Sequence, residues 1–200
     1  SWETILRKRW IKLQEIIDRI LQALEGQTGR VKTVAIDGRC AAGKTTLAQA
    51  LAAVTGGGVI HMDDFFLPPG LRTAARLAEP GGNVHYERFA EEVLPALGSG
   101  DAFSYRRFDC GSMQPGEERK VPEGALRIVE GAYSCHPRFG EYMAVRVFCD
   151  VPPGVQRRRI QARNGERALE AFLEKWIPLE ERYLAACMIR EKAHIVAEGF

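Results

Sequence analysis

The feature that most constrains the fold is a glycine-rich loop between a buried strand and a helix. The segment Gly38–Thr45 has the sequence GRCAAGKT, the full spacing of a phosphate-binding loop. VKTVAID at 31–37 precedes it as a predicted buried strand, and Lys44–Val54 follows with a helical pattern. This order indicates an α/β fold in which loop amides and the positive end of a helix face an anion.

Each residue type in this loop has a physical purpose. Glycine lets the backbone curl around phosphate, Lys44 can reach the β- and γ-phosphates, and the Thr45 hydroxyl can bind magnesium. We therefore predict a site for ATP, or another nucleoside triphosphate, with Mg²⁺. Its predicted residues are Gly38, Arg39, Cys40, Ala41, Ala42, Gly43, Lys44, Thr45 and Thr46. The alternative is a glycine-rich turn before an ordinary helix.

The rest of the chain alternates strand and helix patterns, which predicts a parallel sheet covered on both faces. We expect a three-layer sandwich of the P-loop NTPase type. Further strands are predicted at 58–62, 125–131, 144–150 and 192–197, with an extended segment at 103–108. Further helices are predicted at 86–97, 155–163 and 168–186, and a short lid around 157–168.

An amphipathic helix is predicted at 2–25, with an apolar stripe that runs from Trp2 to Leu24. We divide the chain into this helix (1–29) and a main domain (30–200). The helix is expected to pack on that domain or on a second subunit, which would give a homodimer. Arg7, Lys8, Arg9 and Lys12 favour the alternative of a membrane-surface helix, but nearby acidic residues dilute their charge.

Composition narrows the possible partners. The chain has 200 residues and a net charge of +2, which argues against a nucleic-acid binder. Its five cysteines are scattered without any Cys-x-x-Cys pair, as expected of reduced thiols in a cytoplasmic protein. No apolar run reaches the roughly 20 residues of a membrane span. We therefore expect a small-molecule partner, and neither nucleic acid nor membrane.

Carboxylates follow two of the predicted strands. Asp63 and Asp64 come directly after the second strand, and Glu130 closes the strand LRIVEG. Parallel strands place such residues at the same sheet edge as the phosphate loop. We predict that Asp63 accepts the proton of an acceptor hydroxyl, and that Thr45, Asp63 and Glu130 lie around magnesium. Helix capping and a surface turn are the alternatives.

Four segments in this order, GRCAAGKTT, HMDDFF, IVEGAYSCHP and KWIPLEERYL, resemble the uridine kinase family, especially its short bacterial members. The resemblance covers roughly residues 31 to 197. The chain is more distantly similar to phosphoribulokinase, pantothenate kinase and nicotinamide riboside kinase. The resemblance implies that Asp63 and Lys44 are catalytic and that Glu130 is associated with magnesium. It also implies that Arg159 and Arg163 belong to a lid helix that covers the triphosphate, with Arg163 assisting catalysis.

The match departs from the family in the acceptor pocket. His85 stands where the family has a nucleoside-binding aspartate, and Met113 where it has a histidine. The acceptor candidates are Asp63, His85, Tyr86, Arg88, Tyr105, Arg107, Tyr133 and His136. We expect a kinase of a nucleoside. The alternatives are a kinase of another alcohol, such as a sugar phosphate or vitamin, and a regulatory nucleotide-binding module. A switch GTPase is disfavoured because no N-K-x-D motif is present.

Overall fold

The computed structural model describes residues 1–200. Its strands β1 to β7 are Lys32–Gly38, Gly58–His61, Phe103–Asp109, Gln114–Val121, Leu126–Glu130, Val145–Cys149 and Ile195–Ala197. Its helices α1 to α8 are Trp2–Glu25, Lys44–Thr55, Ala74–Ala78, Tyr86–Glu92, Leu94–Leu97, Pro153–Asn164, Glu166–Ala171 and Ile177–Ala186. A π-helical segment, Phe172–Trp176, joins α7 to α8.

Five of the strands form one parallel sheet in the order β2-β5-β1-β6-β7. β1 lies at its centre and pairs with β5 on one side and β6 on the other. Because these strands are parallel, the carboxyl ends of β1, β2 and β5 lie at one edge, where ligands bind in such sheets. The predicted parallel sheet is confirmed.

Two apolar cores cover the two faces of this sheet. Neighbouring residues of β5 alternate between them, as strand geometry requires: Ile128 packs with α1 and α2, and Val129 packs with the aromatic core on the other face. That second core contains Phe89 of α4, Phe148 of β6 and Tyr183 of α8. The predicted three-layer α/β sandwich is therefore confirmed.

The extended segment predicted at 103–108 is a strand, but it lies outside the parallel sheet. β3 pairs with β4 in an antiparallel hairpin whose register shifts between Arg106 and Phe108. No strand was predicted at 114–121, because QPGEERKV is polar; in the structure only Val121 of β4 is buried. The hairpin is stabilised by tertiary contacts rather than by its own apolar pattern.

Two long helices predicted from the sequence are interrupted in the structure. The helix expected at 86–97 is divided into α4 and α5 at Val93. The helix expected at 168–186 is divided by the π-helical segment just before α8. Pro178 lies in the first turn of α8 and has no amide to donate to the carbonyl four residues earlier. That missing bond favours a locally widened helix.

Helix α1 forms over the predicted range, but only its second half is packed. Leu13, Ile16, Ile17, Ile20 and Leu24 are buried in the same core as α2 and the sheet. The large apolar residues of its first half are exposed: Trp2, Ile5, Leu6, Trp10 and Ile11. The apolar stripe therefore serves the domain core only from Leu13 onward. No helix in the structure has the length and apolar character needed to traverse a membrane.

Candidate active site

The glycine-rich loop Gly38–Thr45 adopts a backbone conformation that requires glycine at two positions. Gly38 has φ +132°, and a Cβ there would lie 2.1 Å from the Cys149 carbonyl oxygen of β6. Gly43 has φ +93°, and its Cβ would lie 2.7 Å from the Phe200 ring. Ala41 also has a positive φ, +58°, which is strained for a residue with a side chain. The loop between β1 and α2 is thus held in a tight turn against β6 and Phe200.

The loop ends at the N-terminus of α2. The first backbone hydrogen bond across this terminus runs from Leu47 N to Gly43 O at 2.9 Å. The amides of residues 44–46 therefore have no carbonyl partner within the helix. These donors and the positive end of the helix dipole favour an anion at this point.

Lys44 lies against the same loop. Its Nζ donates to Gly38 O at 3.1 Å and to Arg39 O at 2.7 Å. Burial acts to lower the pKa of Lys44, but the carboxylates of Glu180 and Asp63 contribute to a net increase above its ordinary value. The ammonium group therefore stays charged at neutral pH.

The adjacent aspartates after β2 have different surroundings. Asp64 is buried, accepts a hydrogen bond from Tyr105 Oη at 2.9 Å and forms an ion pair with Arg119 at 2.6 Å. Asp63 instead lines an open cavity beside the glycine-rich loop. Desolvation raises the pKa of Asp63, and Lys44 opposes that increase. Because the Asp63 side chain remains exposed to solvent, we expect it to be ionised at neutral pH.

Glu130 lies at the end of β5 with both carboxylate oxygens engaged. Thr45 Oγ1 donates to one oxygen at 3.2 Å, and His61 Nδ1 lies 2.5 Å from the other. The hydrogen bond to Glu130 raises the pKa of His61, although burial opposes the effect. Thr45 and Glu130, predicted from separate segments, are thus brought into contact. His61 was not singled out from the sequence, where it looked like an ordinary strand residue.

One cavity of about 690 Å³ connects these groups. Most of the predicted nucleotide and metal residues line it: Cys40, Ala41, Ala42, Gly43, Lys44, Thr45, Thr46, Asp63, Glu130, Arg159 and Arg163. Gly38 and Arg39 do not. The Arg39 side chain forms ion pairs with Asp150 at 2.6 Å and Glu181 at 2.7 Å, so it stabilises the fold beside the loop.

The cations of the cavity come from α1, the loop and α6. Arg159 donates to Ala41 O at 3.0 Å and to Phe200 O at 2.9 Å, so part of α6 contacts the loop. Arg163, one turn later, has its Nη2 3.9 Å from Cys40 Sγ. Arg9 of α1 also lines the cavity, and the sequence had connected this residue only with a surface helix.

Several predicted acceptor residues are engaged with the protein instead of the cavity. Arg88 is buried and donates to the carbonyl oxygens of Asp64 and Arg106. Tyr105 donates to Asp64 and accepts from the His61 amide at 3.1 Å. The Arg107 Nε lies 3.7 Å from the Asp64 carboxylate, outside the cavity lining. These three side chains stabilise the β3–β4 hairpin, which local sequence patterns could not show.

Two of the remaining candidates, Tyr86 and His136, belong to a packed aromatic cluster outside the cavity. The Tyr86 and His136 rings lie 5.2 Å apart, and His136 Nδ1 accepts from the Arg138 amide. His85 precedes α4, donates its amide to Phe65 O, and burial lowers the pKa of its ring. The prediction that these three residues face the acceptor is therefore not supported by their placement.

Tyr133 is the predicted acceptor residue, besides Asp63, that does line the cavity. It has φ +76°, an uncommon conformation for an aromatic residue, and such strain concentrates at functional sites. Its amide donates to Asp37 at 3.1 Å, and its hydroxyl accepts from Asn83 Nδ2 at 2.9 Å. Asn83 was not predicted, and no local pattern distinguished it.

The sequence also did not assign roles to several apolar residues and one acid in the cavity. The aromatic ones are Phe65, Phe66, Phe172, Trp176 and Phe200, and the smaller or aliphatic ones are Met62, Val84 and Ala132. The acid is Glu180 of α8, whose carboxylate accepts the Cys40 amide at 2.6 Å. Trp176 and Glu180 belong to the segment KWIPLEERYL, which contributed to the family resemblance without indicating a role for either.

Comparison with known proteins supports this fold. No protein-family model and no curated protein sequence matches the chain. Among solved structures, a possible uridine kinase from Bacillus stearothermophilus is similar, with a TM-score of 0.70 and 19% identity, covering 93% of this chain and 99% of that one. A candidate fructose transport system kinase from Silicibacter sp. TM1040 is similar, with a TM-score of 0.66 and 22% identity, covering 92% and 98%. At these identities the likeness shows a shared fold.

Proposed function

We propose that the protein is a kinase that transfers the terminal phosphoryl group of ATP, or another nucleoside triphosphate, to a hydroxyl of a small molecule. The observation that carries the proposal is the joint placement of Lys44, Thr45 and Asp63 in one cavity at the carboxyl edge of the sheet. A phosphate loop by itself would suit many NTPases. A carboxylate open to the same cavity adds a group suited to an acceptor hydroxyl.

Different residues of the cavity have separate roles in such a transfer. Asp63 hydrogen-bonds the acceptor hydroxyl, orients it toward the terminal phosphorus and takes its proton. Lys44 balances the charge on the transferred group. Arg159 and Arg163 cover the phosphates from the lid, around 157–168, and help to exclude water as a competing acceptor.

The donor set beside the loop fits magnesium. Thr45 offers a hydroxyl oxygen, and Asp63 and Glu130 offer carboxylates, which are the hard ligands that Mg²⁺ prefers. No cluster of three or more His, Cys, Asp or Glu side chains that could hold a metal ion is present. When bound, magnesium neutralises charge on the β- and γ-phosphates. Thr45 and Glu130 would hold it from the protein side.

The acceptor part of the cavity favours an uncharged molecule with a ring. The lining from the segments after β2 and β5, with the π-helical segment, contains aromatic walls such as Phe66 and Trp176, whose rings lie 5.9 Å apart. All four cations of the cavity lie elsewhere, on α1, the loop and α6. A sugar phosphate would find no cation among the residues that line the acceptor side. A nucleoside is therefore the acceptor that we propose first, and a vitamin-like alcohol second.

A regulatory module that binds nucleotide without transferring phosphate is the remaining candidate. Its support is the placement of His85, Tyr86 and His136 outside the cavity, which removes contacts expected of a nucleoside site. Asp63 and Lys44 in one cavity oppose it, because a module that only binds has no need of a base.

The test is nucleotide turnover over a panel of acceptors. We expect acceptor-stimulated ADP formation from ATP and Mg²⁺ with nucleosides or vitamin-like alcohols, and none with sugar phosphates. Phosphorylated product should appear by mass spectrometry in the same reactions. Asp63→Asn is the control that should bind ATP without turnover.

The outcomes separate the candidates. ATP binding without acceptor-stimulated turnover over the whole panel would favour the regulatory module. Stimulation by sugar phosphates alone would contradict the proposed acceptor class but leave the kinase intact. A protein that bound no nucleoside triphosphate would contradict the whole proposal.

A further inference from the structure

A carboxylate already contacts the loop that would hold the phosphates. The Glu180 Oε1 accepts a hydrogen bond from the Cys40 amide at 2.6 Å. Cys40 is the third residue of the glycine-rich loop, and Glu180 is only 6% exposed and lines the cavity. Carboxylate and phosphate oxygens are both anionic acceptors for such amides. The two would therefore compete for the same donor.

The position of Glu180 is set by the helix that carries it. Tyr183, one turn later on the same face of α8, donates its hydroxyl to Asp37 at 2.7 Å. Glu181 forms an ion pair with Arg39 at 2.7 Å. Both contacts hold α8 against the beginning of the loop, so the Glu180 carboxylate is presented to Cys40 by a fixed element.

The electrostatic surroundings of Glu180 are mixed. Burial raises its pKa to about 7, with Lys44 and the Cys40 amide acting in the opposite direction. Lys44 is the cation that faces it. The other titratable groups around it, from β1, the loop, the segment after β5 and α8 itself, are Asp37, Cys40, Tyr133 and Glu181.

We infer that ionised Glu180 is a built-in competitor of the terminal phosphates, so that a nucleoside triphosphate binds fully only after this carboxylate is neutralised or withdrawn from the Cys40 amide. The inference rests on the proposed function, since it concerns the same loop. Binding a polyanion beside an ionised, buried carboxylate would add repulsion between like charges. Neutralising Glu180 removes that repulsion, and its neutral oxygen, a weaker acceptor than a carboxylate, is more easily displaced from the Cys40 amide.

The expected size of the effect follows from populations. If only protein with neutral Glu180 binds, the apparent Kd is divided by the neutral fraction. For a pKa of about 7 that fraction is about one tenth at pH 8 and about nine tenths at pH 6. Glu180→Gln should therefore bind about tenfold more tightly than the wild type at pH 8 and about equally at pH 6. Titration of the ligand phosphate affects both proteins and cancels in the ratio.

The experiment is calorimetric titration of the full chain with adenylyl imidodiphosphate and Mg²⁺ at pH 6 and pH 8. The proteins are the wild type, Glu180→Gln, Glu180→Ala and Glu174→Gln. Glu174 is an exposed acid of the neighbouring π-helical segment with no hydrogen bond or ion pair in the structure, so its variant controls for loss of one negative charge. Glu174→Gln should behave as the wild type. In buffers of different ionisation enthalpy, the wild type should take up close to one more proton per ligand at pH 8 than Glu180→Gln.

Two results would overturn the inference. If both Glu180 variants bound no more tightly than the wild type at pH 8, the carboxylate would not compete. If Glu174→Gln gained as much as Glu180→Gln, the effect would be one of overall charge. Failure of every protein, including the wild type, to bind the ligand at either pH would instead contradict the proposed function, and the inference with it.

Discussion

The hydroxyl of Tyr183 donates a hydrogen bond to the buried carboxylate of Asp37 at 2.7 Å. This bond joins the end of β1, just before the glycine-rich loop, to helix α8. Asp37 also accepts the amides of Gly38, Tyr133 and Cys135 at 2.7, 3.1 and 2.9 Å. One carboxylate therefore fixes the loop, the segment after β5 and α8 relative to one another. The shape of the cavity therefore depends on the relative positions of these three elements.

Tyr183→Phe tests this connection. The change removes one donor from a fully buried acid, so we expect a loss of about 1–3 kcal/mol in the free energy of unfolding, measured in urea. Tyr86→Phe is the matched control, because its hydroxyl bonds the half-exposed Glu79 at 3.1 Å, and it should cost less than about 1 kcal/mol. Equal losses in both variants would refute a special role for Asp37.

The neighbouring acids after β2 should respond differently to the same substitution. Asp63→Asn should lower kcat by about 10²–10⁴-fold and leave nucleotide affinity nearly unchanged, because it removes a base and no packing. Asp64→Asn should cost about 1–3 kcal/mol of stability, since it removes the charge of a buried acid that pairs with Arg119 and accepts from Tyr105. Steady-state kinetics and urea unfolding of both variants check this. Near-normal kcat in Asp63→Asn would show that Asp63 is not the base.

Lys44→Ala should affect binding and turnover together. The ammonium group is the cation nearest the loop carbonyls and is expected to contact the phosphates in both the ground state and the transition state. We expect the Kd for ATP to rise at least tenfold and kcat to fall as well. Lys175→Ala, which removes a cation outside the cavity, is the control and should change neither. Unchanged ATP affinity in Lys44→Ala would contradict the phosphate-binding role of the loop.

Glu180 should also make stability depend on pH. Its folded pKa of about 7 lies above the ordinary 4.5, so the folded state retains a proton that the unfolded state releases. The associated stability is fully present below pH 4.5 and is lost as pH rises through 7. The advantage of Glu180→Gln over the wild type should thus grow by up to about 3 kcal/mol between pH 4.5 and pH 8. Chemical unfolding across this range measures it, and a constant difference would mean that Glu180 titrates normally.

The two halves of α1 offer a matched pair of identical residues. Ile17 is 1% exposed in the main core, whereas Ile5 is 51% exposed. Ile17→Ala should cost about 2–4 kcal/mol of unfolding free energy, and Ile5→Ala should cost almost nothing in the monomer. If the predicted homodimer forms through α1, Ile5→Ala should instead raise the dissociation constant measured by sedimentation equilibrium. A wild-type chain that sediments as a monomer at all concentrations would show that the dimer prediction is wrong.

Local patterns in the sequence were enough to define the strand, loop and helix around Gly38–Thr45, the parallel direction of the main strands and the full length of α1. These features depend on the period of apolar residues and on glycine at fixed offsets, which adjacent residues reveal. The same reasoning predicted that Asp63 and Glu130 lie near the loop, because the carboxyl ends of parallel strands lie at one edge of the sheet.

Only the tertiary structure paired Asp64 with Arg119, turned Arg88 and Tyr105 into supports of a hairpin, and placed Glu180 on the amide of Cys40, 140 positions earlier. Each of these outcomes depends on contacts between distant segments. A side chain of a given type looks the same in the sequence whether its partner is solvent, a ligand or a remote backbone group. Which partner it meets is decided by how the layers pack.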